Sequence, residues 1–216
     1  MGTTTLSGKM TFHLGRGEMV FNGSPNTFKA LLMMDGFTFD PVTMDALSDI
    51  TEAAWDATTV YAEGDIVIPS TPNGHKYQIA VGDNGTSSAS EPTFPTTAGS
   101  TVVDGTATWT EIGNDDQAPT ANGYTQNNKI LVVESYVNDA TTKKTTVSFS
   151  DPSWVAEGGY LGSVDGSAVE IAGILIINST PVDPIILSYH GFTSSGYTAD
   201  GKGLSGVGIA IELDGQ

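Results

Sequence analysis

Apolar and polar residues alternate with a period of two along much of this chain, the pattern of strands that bury one face. Met10, Phe12 and Leu14 occupy alternate positions and predict a half-buried strand, with Glu18 to Phe21 as a second. Phe28 to Met34 is a continuous apolar run between the turn residues Asn22 to Asn26 and Asp35-Gly36, and it predicts a buried strand. Asp40-Pro41 carries helix-start chemistry, a carboxylate cap followed by proline in the first turn. Val42, Ala46, Leu47 and Ile50 then share one helical face, so 41–50 is predicted as the one helix.

From Trp55 to Ile112 the pattern describes a small β-unit that opens and closes on itself. Ile66 to Ile68 and Lys76 to Val81 read as strands joined across Pro69 to Gly74. Val102-Val103 and Thr106 to Ile112 form a hairpin around Asp104-Gly105, a strong turn signal. The interval 82–101 is poor in apolar residues and is expected to wrap the outside, and Asn114 to Pro119 reads as a polar linker. Strands resume with Leu131 to Val137 paired to Thr145 to Phe149. An ordered loop over 150–168 holds Trp154, Tyr160 and Leu161. Val169 to Ile177 is the most apolar strand and is expected at the centre of a sheet. A strand through Ile185 to Tyr189 follows, and Val207, Ile209, Ile211 and Leu213 alternate in the last. Gly123-Tyr124-Thr125 and Gly196-Tyr197-Thr198 are similar lead-ins, each followed by Lys and Leu, in which tyrosine is expected to pack over a turn.

The expected fold is therefore all-β. It is a discontinuous β-sandwich from 1–53 and 115–216, with one short helix near 41–50, and the β-rich module 54–114 inserted in a loop.

Charge narrows the partners. The 216 residues carry 8 Lys+Arg against 25 Asp+Glu, formally −17, so no basic stripe exists for a phosphate backbone or an anionic membrane. No nucleic acid and no membrane are expected as partners. Cysteine is absent, which removes disulfides, thiol nucleophiles and thiolate zinc sites. The start shows no apolar secretory core, and no apolar run is long enough to span a bilayer.

Catalytic chemistry finds little support. His13, His75 and His190 are the three histidines, and none stands at a spacing that suggests a shared site. G-x-S-x-G, EF-hand, zincin and phosphate-loop patterns are missing. Asp83-Asn84 and Asp115-Asp116 are oxygen pairs that fit solvated turns. No catalytic residue, metal ligand or cofactor is expected, and the chain is read as a non-enzyme.

The concentrated feature is aromatic: Trp55, Tyr61, Tyr77, Phe94 and Trp109 lie in one module with few aliphatic residues. They suit either of two roles, a sugar-stacking platform or the core that a unit of roughly sixty residues requires. Trp55 and Trp109 are the better core pair, and Tyr77 and Phe94 the better surface residues.

These residues carry a resemblance. WDATTVYAEGDIVIP at 55–69 and KYQIA at 76–80 resemble the small carbohydrate-binding modules of chitinases. The version found in tailed-bacteriophage virion proteins is closer, because Gly85 to Pro92 and Val102 to Trp109 continue the likeness in order. FKALLMMDGFTFDP at 28–41, the Gly-Tyr-Thr lead-in and the strand-rich C-terminal half are similar to minor structural proteins of phage particles. The resemblance implies a virion structural protein. The favoured form is a homo-oligomeric capsid decoration (cement) protein on the outer surface of the particle, assembled in the host cytoplasm. It would dock on the major capsid protein or other virion proteins and project the module. The alternative is a tail-tip or fibre component that binds host glycans.

Overall fold

The computed structural model describes residues 4–17, 19–21, 25–157, 161–163, 170–192, 197–198 and 209–214. The expected contributions of Glu18, the Asn22 to Ser24 turn, Tyr160, Val169 and Val207 lie outside the described residues. The chain begins with β1 (Thr4–Leu6), α1 (Met10–Gly15) and β2 (Phe28–Met34). Next come β3 (Ala53–Ala54), β4 (Val60–Tyr61), β5 (Ile66–Ile68), β6 (His75–Ile79), β7 (Gly85–Thr86), β8 (Thr101–Asp104) and β9 (Ala107–Asn114). After these follow β10 (Lys129–Leu131), β11 (Val133–Asp139), β12 (Lys144–Phe149) and β13 (Glu170–Asn178). The last are β14 (Ile185–Gly191), β15 (Tyr197–Thr198) and β16 (Ile209–Asp214). The protein is all-β.

One sheet runs β1-β14-β13-β2-β10, with β15 also on β13, and a second runs β11-β12-β16. They form a sandwich around one core. Phe28, Ala30 and Leu32 of β2, with Ile174 and Ile176 of β13, meet Val147 and Phe149 of β12 and Ile209 and Ile211 of β16. The opposite face of the larger sheet is also covered. Leu31, Met33, Leu175, Ile177 and Ile186 pack under Phe37 and Ile50, with Phe39, Met44 and Leu47 alongside. Burial on both faces explains why β2 and β13 read as unbroken apolar runs. The smaller sheet has one wet face, so β16 alternates buried Ile209 and Ile211 with exposed Ala210 and Glu212. Each of these aliphatic side chains contributes about 1.5–3 kcal/mol by burial.

Three local expectations are corrected. Met10–Gly15 is helical rather than a strand. Met10 and Leu14 are also four apart, a helical spacing, and both reach the core from one side of a helix. Region 19–21 forms no strand, although Met19 and Phe21 are buried. The helix expected at 41–50 is reduced to one 3-10 turn, Leu47–Asp49. The backbone here bonds elsewhere: Leu47 N–H donates to Pro184 O (2.8 Å) and Ile186 N–H to Asp45 O (2.7 Å), which fastens the segment to β14. Asp40 caps only a local turn, accepting from Val42 N–H (2.9 Å) and the Thr43 hydroxyl (2.8 Å).

The module residues form a third sheet, β3-β5-β6-β9-β8, beside the two-stranded β4-β7. Its core is Tyr61, Val67, Tyr77, Ile79, Phe94, Ala107 and Trp109, with Trp55 and Val102 packed against it. None of these residues belongs to the two sandwich clusters. The outgoing segment is not the expected linker. Ala118 N–H donates to Leu32 O and Met34 N–H to Asp116 O, both at 2.9 Å, so 116–118 extends the pairing of β2. β10 takes the other end of the same edge, with Lys129 opposite Ala30 and Leu131 opposite Phe28.

Candidate functional site

The five aromatic residues singled out in the module do converge, but inward. Tyr61 stands edge-on to Trp109 with ring centroids 4.8 Å apart, Tyr77 tilts on Phe94 at 4.4 Å, and Phe94 meets Trp109 at 6.3 Å. Tyr77 and Trp109 are fully buried, and Tyr61 and Phe94 are each 8% exposed. The expectation that Tyr77 and Phe94 face solvent is therefore reversed. So is the outside wrapping of 82–101, since that interval delivers Phe94 to the core. A module with few aliphatic residues must use rings to exclude water.

The ring hydroxyls are spent internally. Tyr77 OH donates to Pro95 O (2.9 Å) and accepts from Asn73 Nδ2 (2.8 Å). Tyr61 OH accepts from Asp56 N–H at 2.9 Å. Burial raises both phenols above the ordinary tyrosine range. Trp55 alone among the five remains half-buried.

The polar centre of the module is a residue that sequence reasoning read only as a turn. Asp104 Oδ2 accepts the indole N–H of Trp55 (2.7 Å) and of Trp109 (3.1 Å), while Oδ1 accepts Ser88 N–H (2.8 Å) and the Ser88 hydroxyl. Burial pushes this carboxyl up, but the donors from Ser88, Trp55 and Trp109 outweigh it and hold it below the ordinary carboxylate range. The available signal was an Asp-Gly turn close before Trp109, in a module whose other tryptophan, Trp55, also needs an acceptor for its indole N–H. Glu111, also buried, accepts from Gly99 N–H (3.1 Å) and Gly113 N–H (3.0 Å) and lies 2.9 Å from His75 Nδ1.

The two ends of the module meet on Lys76. Its Nζ lies 3.2 Å from Asp116 Oδ1 and 3.9 Å from Glu52 Oε1. Asp115 N–H donates to Gly74 O (2.8 Å), and its carboxylate accepts Asp116 N–H (2.8 Å). Asp115 is buried rather than in a solvated turn, and desolvation lifts its carboxyl to about 6. Asp83 and Asn84 do serve turns, accepting Thr108 N–H and Glu63 N–H, both at 2.9 Å.

The histidines lie apart in the fold. His13 Nε2 is 3.1 Å from Asp45, and His75 belongs to the module. His190 Nδ1 is 2.9 Å from Thr4 Oγ1 and its Nε2 is 3.3 Å from Ser188 Oγ. The pairing of Ser188 with His190 was legible as neighbours two apart on one strand face. Among the described residues no carboxylate orients this imidazole, Ser188 is fully buried, and burial pushes the ring down to about 4. That geometry is a satisfied core histidine rather than an activated nucleophile. Among the described residues no group of three His, Asp or Glu side chains is placed to hold a metal ion.

Two recesses lie on the sandwich, one of about 390 Å³ beside Thr4, Leu6, Ala210 and Glu212, and one of about 300 Å³ lined by Thr125, Asn128, Lys129, Trp154 and Glu157. The Lys129 ammonium already sits 5.6 Å over the Trp154 ring, and Tyr124 meets that ring edge-on at 6.0 Å. Comparison with family models, curated proteins and solved structures finds no match to this chain.

Proposed function

We propose that this chain is a structural protein of a tailed-bacteriophage particle, a capsid decoration protein. Its β-sandwich, 1–53 with 115–216, docks on the major capsid protein or neighbouring virion proteins, and the inserted module, 54–114, is held outward. The observation that carries this reading is the joint. Residues 116–118 bond to β2, and Lys76 draws Glu52 and Asp116 together, so the module is a fixed projection rather than a tethered one. A fixed projection suits a lattice component that must present one surface in one orientation. The likeness of 55–112 to modules of phage virion proteins supports the same reading, and the formal charge of −17 keeps the chain off packaged DNA.

Purified protein is expected to co-sediment with mature capsids and to ignore duplex DNA at moderate salt. Imaging of decorated particles should place density for the module outside the shell. Retention on duplex DNA, or absence from purified virions, overturns the reading.

The tail-tip alternative rests on one observation, the half-buried ring of Trp55. Glycan-array binding by the wild type that Trp55→Ala abolishes, in a variant that still folds, would favour adhesion. The four inward rings offer no stacking face of their own.

A further inference from the structure

β10 and β11 are nearly continuous, and together they form an edge of both sandwich sheets. β12 occupies one side of β11, and among the described residues no strand occupies the other. At Val132 the backbone is already committed, its N–H donating to Ser150 Oγ (2.9 Å) and its carbonyl accepting Ser150 N–H (2.7 Å). The open edge therefore begins at Val133. Its outer half is wet on both faces, and Tyr136 and Val137 are 49% and 57% exposed although they point to opposite sides. Ile130 and Val132 are exposed on the same short stretch. Of the other exposed valines, Val42, Val81 and Val155 stand outside the strands, and Val60 and Val103 stand singly on the short module strands β4 and β8. An open strand edge bearing apolar side chains is a template for pairing with another strand.

We propose that this edge is where two copies of the chain pair, β11 to β11, antiparallel about a two-fold axis at Ser135 or Tyr136. Charge selects both the place and the occupant. Copies with a formal charge of −17 repel over most of their surface. Between Lys129 and Lys144, however, lie three of the eight cations and only two of the 25 carboxylates, Glu134 and Asp139. The strand is also compatible with its own image. An axis at Ser135 sets Glu134 opposite Tyr136, and an axis at Tyr136 sets it opposite Asn138. In neither register do two carboxylates of β11 face each other, and like charges directly opposite are what destabilise a ladder. A two-fold contact of this kind is closed, so it yields a dimer and not a fibre. The inference stands whether or not the chain decorates a capsid.

The absence of cysteine gives a clean test. Ser135→Cys and Tyr136→Cys are treated separately with oxidised glutathione, alongside Thr97→Cys on the exposed surface of the module as control. The variant nearer the axis should form a disulfide-linked dimer at least tenfold faster than the control, because facing residues in an antiparallel pair lie within disulfide reach. Sedimentation of the wild type at tens of micromolar should show a dimer whose population grows with added salt as repulsion is screened. Val137→Lys should sediment as a monomer with an unchanged circular dichroism spectrum. A wild type that stays monomeric, a Val137→Lys protein that dimerises equally well, or a control that cross-links as fast as both edge variants overturns the proposal.

Discussion

Trp55 donates its indole N–H to Asp104 Oδ2 at 2.7 Å, which ties the start of the module to the turn that closes it. Trp109 donates to the same oxygen from the far side of that turn. One buried carboxylate thus holds both tryptophans at once, and the rings can be tightly packed because their polar edges are satisfied.

Asp104→Asn should expose how much rests on this arrangement. An amide can accept through its oxygen, but its NH₂ must then face donors from Ser88 or an indole. Leaving buried donors without an acceptor costs about 3 kcal/mol. In a Trp154→Phe background the remaining tryptophans, Trp55 and Trp109, both report on the module. Urea unfolding followed by their fluorescence should show a midpoint shifted to lower denaturant. An unchanged midpoint would mean that Asp104 is not the module's polar hub.

Tyr124 plays a comparable part in the sandwich. It is 1% exposed, and its hydroxyl accepts from Leu32 N–H (3.1 Å) and Gln117 Nε2 (3.0 Å). It therefore reaches the point on β2 where the outgoing chain of the module pairs. Tyr124→Phe keeps the ring and orphans a buried amide, which costs about 1–3 kcal/mol. Hydrogen exchange should show the Leu32 amide losing protection more than amides of β13 do. Equal protection in both proteins would place that amide's true partner elsewhere.

Gly123 beside it has φ +92°, and a Cβ there would meet the Val155 carbonyl oxygen at 1.9 Å. Gly123→Ala is therefore expected to cost several times what a glycine-to-alanine change costs in an open turn, and to be read as a fall of several degrees or more in melting temperature. A melting temperature within one degree of wild type would show that the loop moves aside freely.

What was legible in the sequence followed from burial pattern. β2, β13 and β14 carry apolar side chains on both faces over most of their length, so no choice of register obscures them. The hairpin at Asp104-Gly105 was plain because its turn chemistry is local. What was hidden depended on contacts distant in sequence. The 41–50 segment carries helix-like spacing, yet the Leu47 amide and the Asp45 carbonyl bond at the start of β14, more than a hundred residues away, and tertiary bonding overrides a weak local preference. With Trp55 and Trp109 assigned to the core, Tyr77 and Phe94 were expected outside. Only the three-dimensional shortage of aliphatic residues around Val67 and Ile79 shows why they are needed within. The polar run after Asn114 hid a β-pairing, because its backbone rather than its side chains makes the bonds.

Two buried groups, Asp115 and His190, titrate in opposite senses. Asp115 is raised to about 6, by desolvation first and by its acidic neighbours Asp116 and Glu52 against the pull of Lys76. A carboxyl raised on folding favours the native state when protonated, so its contribution is complete below about pH 4 and is lost as pH rises through about 6. His190 is lowered to about 4 by burial alone. An imidazole lowered on folding favours the native state when neutral, so its contribution is complete above about pH 6.5 and is lost as pH falls through about 4. Each shift is worth about 3 kcal/mol over nearly the same window, and the two slopes cancel in the wild type. Asp115→Asn removes one of them: stability should then rise with pH from 4 to 6.5, and the variant should exceed the wild type most at pH 7 and above. His190→Asn should show the reverse slope, falling from pH 4 to 6. Other carboxylates add a background common to all three proteins, so the quantity to compare is the difference from wild type at each pH, measured by urea unfolding. Parallel pH profiles for the wild type and both variants would mean that neither group is held in the protonation state its burial demands.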